Sequence, residues 1–566
     1  MTEWVSRKIK SDISALKVRG KTIPKIIVQI LESRGYSSKD AVERYFAPRL
    51  TDLHDPFLLN DMEKAVDRLI LAIQKKEKVL VHGDYDADGI TACALVIRCL
   101  QTLGLNVEYY IPHRLEEGYG LSMNAINMAK ERKCSLIITV DCGTTALNEI
   151  AYAVETGIDV IITDHHKPKD VLPHTYALIN PKLSQNSYPF SELAGVGVAY
   201  KLCAALYEKI GESQEVLKAD LDLVALGTVV DVVPLIDENR ILVKYGIHSM
   251  LKSNKPGIKA LLRETNLTRG VSAYHLGFVI GPRINACGRV GDAQGALELF
   301  LTDNKSKAEM LAKQLSDHNR KRQEIEEQIY VKAEQKIEKE YQAQERVIVL
   351  GDSAWHEGIV GIVAARISDI YHRPSILLCL KEQTARGSAR SIPGFDITEA
   401  LHACRKTLIK YGGHSQAAGL ELKVEDIDAL RTSLNTHAQS YEELIFNKKR
   451  MYDTELAFND ITDELIYFLR YFEPTGTANP QPVFLSTGLE VVGIPRVVGS
   501  NHLKCALRGA GHVFDAIAYG HADKILNIEI GVTKVDCLYS IFENTFAGKK
   551  KAILKVKEMR IRDENS

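Results

Sequence analysis

Paired cysteines, long apolar runs and an excess of charge of either sign are all missing from this chain of 566 residues. Its ten cysteines are scattered, and none forms a Cys-x-x-Cys pair. That argues against zinc ribbons and a disulfide framework, and fits buried, reduced thiols in a cytoplasmic protein. Apolar runs such as Ser375-Ile-Leu-Leu-Cys-Leu380 are far too short to span a bilayer, so no membrane association is expected. The start, Met1-Thr-Glu-Trp4, carries an acid at position 3 and no apolar core, unlike a secretory signal. Net charge is −1. This argues against a protein that coats nucleic acid, but not against one that needs only a local positive groove. Repeats and low-complexity tracts are also absent. The length suggests three or four domains.

What the chain does have is acids at strand ends. In Val79-Leu-Val-His-Gly-Asp-Tyr-Asp-Ala-Asp-Gly-Ile-Thr-Ala92, the carboxylates of Asp84, Asp86 and Asp88 follow an apolar β-type run. Ser135-Leu-Ile-Ile-Thr-Val-Asp141 ends another run on an acid, and Asp159-Val-Ile-Ile-Thr-Asp164-His165-His166 ends a third on an acid and two imidazoles. Alternating helical stretches, Ile90 to Leu103 and Thr145 to Glu155, make these runs buried parallel strands. Ligands of open α/β sheets sit at the carboxyl ends of the strands. Asp86, Asp88, Asp141, His165 and His166 are therefore expected on one rim. Carboxylates with some imidazole suit Mg²⁺ or Mn²⁺. An EF-hand would need Glu at the twelfth loop position, which is Leu95 here. A single acid at a strand end is an ordinary turn residue; three such ends in one sheet indicate a metal site.

The expected fold class is α/β, with two α/β domains joined by a long helix and followed by a small β-barrel. A mostly helical lead-in covers 1–75, and the acidic α/β domain covers 76–235. There Leu221-Asp-Leu-Val-Ala-Leu-Gly-Thr-Val-Val230 is a helix delivering Asp231 to the rim. A helical extension follows at 236–302. Asp303 to Arg346 holds neither Gly nor Pro and reads as one connector helix of about 60 Å. Its apolar spacing is too irregular for a coiled-coil dimer, so a monomer is expected. A second α/β domain covers 347–445. Short runs at Val483, Leu489, Leu503 and Ala516 predict strands of a barrel over 450–566. Lys549 to Arg562 is markedly basic.

His82-Gly-Asp-Tyr-Asp-Ala-Asp-Gly, Val140-Asp-Cys-Gly, Thr163-Asp-His-His and Leu226-Gly-Thr-Val-Val-Asp231 resemble the motifs of the DHH phosphoesterase superfamily. Gly281-Pro-Arg-Ile-Asn-Ala-Cys-Gly-Arg289, Trp355-His-Glu-Gly, Gly387-Ser-Ala-Arg-Ser391 and Gly412-Gly-His-Ser-Gln-Ala-Ala-Gly419 narrow the likeness to its bacterial exonucleases specific for single strands. The resemblance covers Val79 to the C-terminus. It implies a DHH domain, a DHHA1 domain and an OB-fold, and 5′ to 3′ degradation of single-stranded DNA to mononucleotides in recombination, mismatch and excision repair. It also implies two Mn²⁺ or Mg²⁺ ions bridged by Asp141. Asp86, Asp88, His165, Asp231 and His82 complete the ligands, Asp84 supports them, Asp164 orients the site and His166 faces the scissile phosphate. Arg114, Arg283, Arg289, Ser388, Arg390 and His414 are implied to bind substrate. A single-strand-binding protein and a repair helicase are implied as partners. The alternatives are a phosphodiesterase of the superfamily acting on oligoribonucleotides or cyclic dinucleotides, and a non-catalytic DNA-binding scaffold. Such small phosphodiesterases typically lack the long helix and barrel, and scaffold relatives have lost the acids.

Overall fold

A computed structural model describes residues 2–7, 17–18, 20–114, 116–341, 344–499, 501–546 and 549–562. Parts of the expected lead-in (1, 8–16 and 19), connector (342–343) and barrel (500, 547–548 and 563–566) lie outside the described residues, as does Leu115.

Five parallel strands form the first sheet: β1 (Lys78–Gly83), β2 (Asn106–Tyr110), β3 (Leu136–Val140), β4 (Asp159–Thr163) and β5 (Ala177–Ile179), in the order β2-β1-β3-β4-β5. Leu136, Ile137, Ile138 and Val140 are all fully buried. A parallel sheet covered on both faces requires such a near-continuous apolar run, here interrupted only by the buried Thr139. Helices α1 (Ala87–Thr102), α2 (Gly195–Ile210) and α3 (Leu221–Val230) cover one face. The strand order reverses between β1 and β3, which opens a crevice at their carboxyl ends.

Helix α4 (Gly281–Val290) leads to α5 (Lys305–Glu340), 36 residues and about 54 Å long. Asn304 caps α5 by accepting from the Lys307 N–H at 3.0 Å. Ala308, Leu311, Ala312 and Leu315 join the core of the first domain, whereas Ile329, Tyr330, Ala333 and Ile337 join that of the second. The apolar stripe is irregular because it serves two separate bodies, one at each end.

The second sheet contains β6 (Ile348–Asp352), β7 (Ser375–Leu380), β8 (Thr384–Arg390), β9 (Lys410–His414) and β10 (Ala417–Lys423), in the order β9-β10-β8-β7-β6. Only β6 and β7 pair in parallel. The barrel contains β11 (Phe484–Val498), β12 (His502–Gly509), β13 (His512–Tyr519), β14 (Lys534–Phe546) and β15 (Lys549–Ile561), and closes through β11 and β14. The separate short strands expected at Val483 and Leu489 are parts of one long β11. Gly488 and Gly493, at φ 66° and 72°, sit at register shifts that bend the strand without ending it.

The lead-in is not a free-standing helical unit. Its helices Lys25–Ser33 and Lys39–Phe46 bury Ile27, Ile30, Leu31, Val42 and Phe46 in the core of the barrel. Strand Glu3–Ser6 pairs with Lys449–Tyr452, and the Arg34 guanidinium lies 3.2 Å from Asp453. Nor is the basic segment near the end a free cationic arm. Lys555 stacks over Phe542, Arg560 over Trp4, and Arg562 donates to Asp536.

Candidate metal and phosphate site

The carboxyl ends of β1, β3 and β4 and the end of α3 deliver the acids to one rim. Asp86 caps α1, accepting from the N–H groups of Asp88 and Gly89 at 2.9 and 3.1 Å. Asp88, in the first turn, accepts from the N–H groups of Gly195 (2.7 Å) and Val196 (2.9 Å) at the start of α2. Asp141 follows β3 with a left-handed φ of 60°, and its Oδ1 lies 3.1 Å from His165 Nε2. The same nitrogen lies 3.5 Å from Asp231 and 4.0 Å from Asp88. Asp231 is the C-cap of α3. A carboxylate at the negative end of a helix is unfavourable by itself, and a neighbouring cation would reverse the sign.

These residues fit divalent cations. Three overlapping groups have ligand atoms within 4.8 Å of one another: Asp84, Asp86 and Asp141; Asp88, His165 and Asp231; Asp141, His165 and His166. Asp84 Oδ1, Asp141 Oδ1 and both ring nitrogens of His165 are buried without a hydrogen bond. Burial, followed by mutual repulsion, raises the pKa values of Asp88, Asp141 and Asp231 in the metal-free protein. Burial and the neighbouring His166 push His165 down to about 3, leaving a neutral imidazole able to ligate. Two glycines make room. A Cβ at Gly195 would lie 2.4 Å from Asp141 Oδ1, and one at Gly227 would lie 2.7 Å from Asp88 Oδ1.

Asp164 has a different task. It accepts from the N–H groups of Thr144, His165 and His166 and lies 2.8 Å from His166 Nδ1. Burial opposes its charge, but the bonds to His166 and Thr144 hold its pKa well below the usual range. Burial likewise opposes a charged His166, yet Asp164 raises its pKa. His82 stands apart from the three groups. It is buried, stacked on Tyr110, with Nδ1 3.6 Å from Cys142 Sγ, and burial lowers its pKa to about 4.

Two participants are new. The Tyr119 hydroxyl donates to the Asp141 carbonyl at 3.0 Å and lies 2.8 Å from His166 Nδ1. Its flanking glycines, Gly118 and Gly120, both have positive φ and were the only sequence sign of a shaped loop. Asn285 Oδ1 accepts from the Ala87 N–H at 2.8 Å, tying α4 to the acidic loop; no sequence signal marks this bond across 198 positions.

Beside the acids, a cleft of about 470 Å³ runs to the second sheet, lined by Tyr85, Arg114, Gly387, Ser388, Lys410 and Tyr411 among others. Arg114 stacks over Tyr85, which lies between Asp84 and Asp86. Burial, with Arg114 and Arg390 nearby, lowers the pKa of Arg289 to about 10; burial and Arg114 lower that of Arg390. Arg289 donates to the Gly358 carbonyl at 2.8 Å, and Arg390 to that of Ala389. Among the described residues, none of these three guanidinium groups has a carboxylate within 4.0 Å. Clustered, partly buried, unneutralised arginines suit phosphate. Two more expected substrate residues, like Arg289 and Arg390, are not in that lining. Arg283 donates to Ser316 of α5 and to the Val279 carbonyl, and His414 is exposed at the end of β9.

The chain is similar to known proteins along most of its length. The family described as "DHH family, N-terminal domain" matches residues 78–228, "DHHA1 domain" matches 344–440 and "RecJ OB domain" matches 452–558. The chain is 36% identical over 545 residues to the single-stranded-DNA-specific exonuclease RecJ of Bacillus subtilis, covering 95% of this chain and 68% of that protein. It is 35% identical to RecJ of Escherichia coli, covering 93% and 94%. The crystal structure of Thermus thermophilus RecJ in complex with Mn²⁺ superposes with a TM-score of 0.83 at 28% identity, over 99% of this chain and 80% of that one. The corresponding Mg²⁺ complex gives 0.75 at 26% identity, over 99% and 79%. With the three domains matched in order and the acids gathered on one rim, the chain belongs to the RecJ family of the DHH phosphoesterases.

Proposed function

We propose that this protein is a metal-dependent exonuclease that degrades single-stranded DNA from its 5′ end to mononucleotides, in the cytoplasm. The observation that carries the reading is the pairing of a cation-demanding acidic rim with an unneutralised arginine cluster, with Tyr85 between them. Such a site can hold the terminal phosphate of a strand on one side and the scissile diester on the other. On this reading residues 76–235 are the hydrolytic unit, 347–445 the substrate-binding unit and 450–566 the strand-holding barrel.

Asp86, Asp88, Asp141, His165 and Asp231 would hold two ions of Mn²⁺ or Mg²⁺, the metals named for the relatives' structures. A bound pair of such ions lowers the pKa of water and stabilises the attacking and leaving oxygens. The protein's own residues do the positioning. Asp164 fixes the ring of His166, keeping its charged form available beside the diester. Tyr119 steadies both that ring and the Asp141 backbone. Arg114, Ser388 and Arg390 hold the terminal phosphate, and Arg289 extends the positive field.

End-labelled single- and double-stranded DNA and RNA, digested with Mn²⁺, Mg²⁺ or EDTA, test the reading. Mononucleotide release from the 5′ end of single-stranded DNA alone, lost in EDTA, is expected. Metal-independent cleavage, or preference for short ribonucleotides, would overturn it. A single-strand-binding protein and a repair helicase remain the proposed partners, testable by pull-down with the purified proteins.

A further inference from the structure

The segment just before α4 carries two aromatic rings that no core accounts for. Tyr274 and Phe278 are 63% and 72% exposed, and their rings stack with centroids 5.0 Å apart and planes 27° from parallel. The helix beneath them is irregular. Ala273–His275 is α-helical, Leu276–Ile280 is a π-turn, and α4 follows directly. Pro282 explains the irregularity: it has no N–H to give the carbonyl four residues back, so the ladder widens. The wide turn places both rings on the solvent side, while the small residues face inward. A Cβ at Gly281 would lie 2.4 Å from Val230, and one at Gly277 would lie 3.5 Å from Val229. Val229 and Val230 immediately precede Asp231, one of the rim acids. The rings therefore ride on the last turn of the helix that delivers a metal ligand. The same continuous segment carries Arg289, which donates to the carbonyl of Gly358 in the wall of the cleft.

We propose that Tyr274 and Phe278 form a stacking platform for the bases of the single strand as it leaves the hydrolytic rim toward its 3′ side, a role that rests on the exonuclease reading above. The occupant is argued from continuity. A base-sized apolar surface in water, beside a site that takes a polyanionic strand, gains by covering itself with the bases of that strand. Stacking is sequence-tolerant, because every base has a π-face. Stacked bases would also fix the direction from which the backbone enters the rim.

The experiment compares the full-length protein with a Tyr274→Ala/Phe278→Ala variant and a conservative Tyr274→Phe/Phe278→Tyr variant. Binding in EDTA is measured for strands carrying one abasic site at successive positions, and KM and kcat are measured on long oligothymidylate and on dithymidylate. Wild type should lose affinity when the abasic site reaches two or three positions inward from the 5′ end. The alanine variant should be blind to that position, with KM for the long strand raised roughly 5- to 100-fold. Its kcat and its dithymidylate kinetics should not change, and the conservative variant should behave as wild type. An unchanged KM in an alanine variant that still hydrolyses strands normally would overturn the platform alone, as expected if the rings dock another protein. A wild type that shows the abasic effect yet hydrolyses no strand would keep the platform and remove the exonuclease reading.

Discussion

Replacing Asp141 by asparagine should move two measurements in opposite directions. Asparagine is the right substitution because Asp141 sits at φ 60°, a region that asparagine tolerates and alanine resists. In the metal-free protein, burial and the carboxylates of Asp88, Asp86 and Asp231 hold its pKa well above the usual range. Two like charges 4 Å apart cost about 4 kcal/mol at an effective dielectric of 20, and protonation and relaxation reduce that to roughly 1–2 kcal/mol. The metal-free variant should therefore melt roughly 2–8 °C above metal-free wild type in the transition of this domain. The sign depends on pH. A carboxylate with a raised folded pKa costs nothing below its unfolded value, near 4, and its cost grows as pH rises toward the folded value. The variant's advantage should vanish at about pH 3.5 and grow as pH rises toward the folded value. With Mn²⁺ the order reverses. Two divalent cations about 4 Å apart repel by roughly 16 kcal/mol at the same dielectric, so a bridging carboxylate is hard to replace. Metal should stabilise wild type more than the variant, bound metal should fall from two ions toward one, and the rate should drop at least roughly 100-fold. Calorimetry with and without Mn²⁺, over a pH series, gives the stabilities. A metal-free variant less stable than wild type at pH 7, with equal stabilisation of both by Mn²⁺, would show that Asp141 does not belong to a repelling cation shell.

Mn²⁺ binding should release protons, with apparent affinity rising as pH rises, because Asp88, Asp141 and Asp231 hold raised pKa values until a cation arrives. Titration calorimetry in buffers of different ionisation enthalpy checks this, and zero proton release contradicts it. Arg390→Ala and Arg114→Ala should each slow use of 5′-phosphorylated strands by roughly 10- to 100-fold, with less effect on 5′-hydroxyl strands. Equal slowing of both substrates would assign these arginines to general backbone binding. Gly195→Ala should abolish metal binding by driving a methyl group into Asp141, whereas Gly211→Ala, where a Cβ meets nothing within 4 Å, should bind metal normally despite some backbone strain. Deleting 450–566 alone should yield insoluble protein, since Ile27, Ile30, Leu31 and Phe46 lose their cover; deleting 1–50 as well should restore solubility. Soluble expression of the single truncation would show that the two ends do not share a core.

The acidic rim was legible because each acid closes a strand-like run, and parallel sheets gather strand ends. Asp231 was legible by the same logic applied to a helix. His82 had the same credentials, but its ring turns into the interior beside Cys142 and Tyr110, and side-chain direction cannot be read from a motif. The arginine cluster came from resemblance alone: Arg114, Arg289 and Arg390 are far apart in the chain and share no local pattern. Arg283, two residues from Asn285 on the same helix, shows how little separates a residue bonded to the acidic loop from one bonded to the connector. The packing of the lead-in on the barrel was not legible either. Amphipathic helices announce that one face needs cover, not which distant surface supplies it.

Helix α4 touches both lobes at once. Asn285 bonds the first through Ala87, and Arg289 bonds the second through Gly358. Ten residues thus act as a caliper whose jaws are locked at one opening. If one jaw senses where a strand begins and the other is where it is cut, the length removed per event is a property of the tool and not of the material. Such a device counts without reading: every sequence would be trimmed in equal steps. Lengthening α4 by a turn would then be expected to alter the size of the step before it altered the choice of strand.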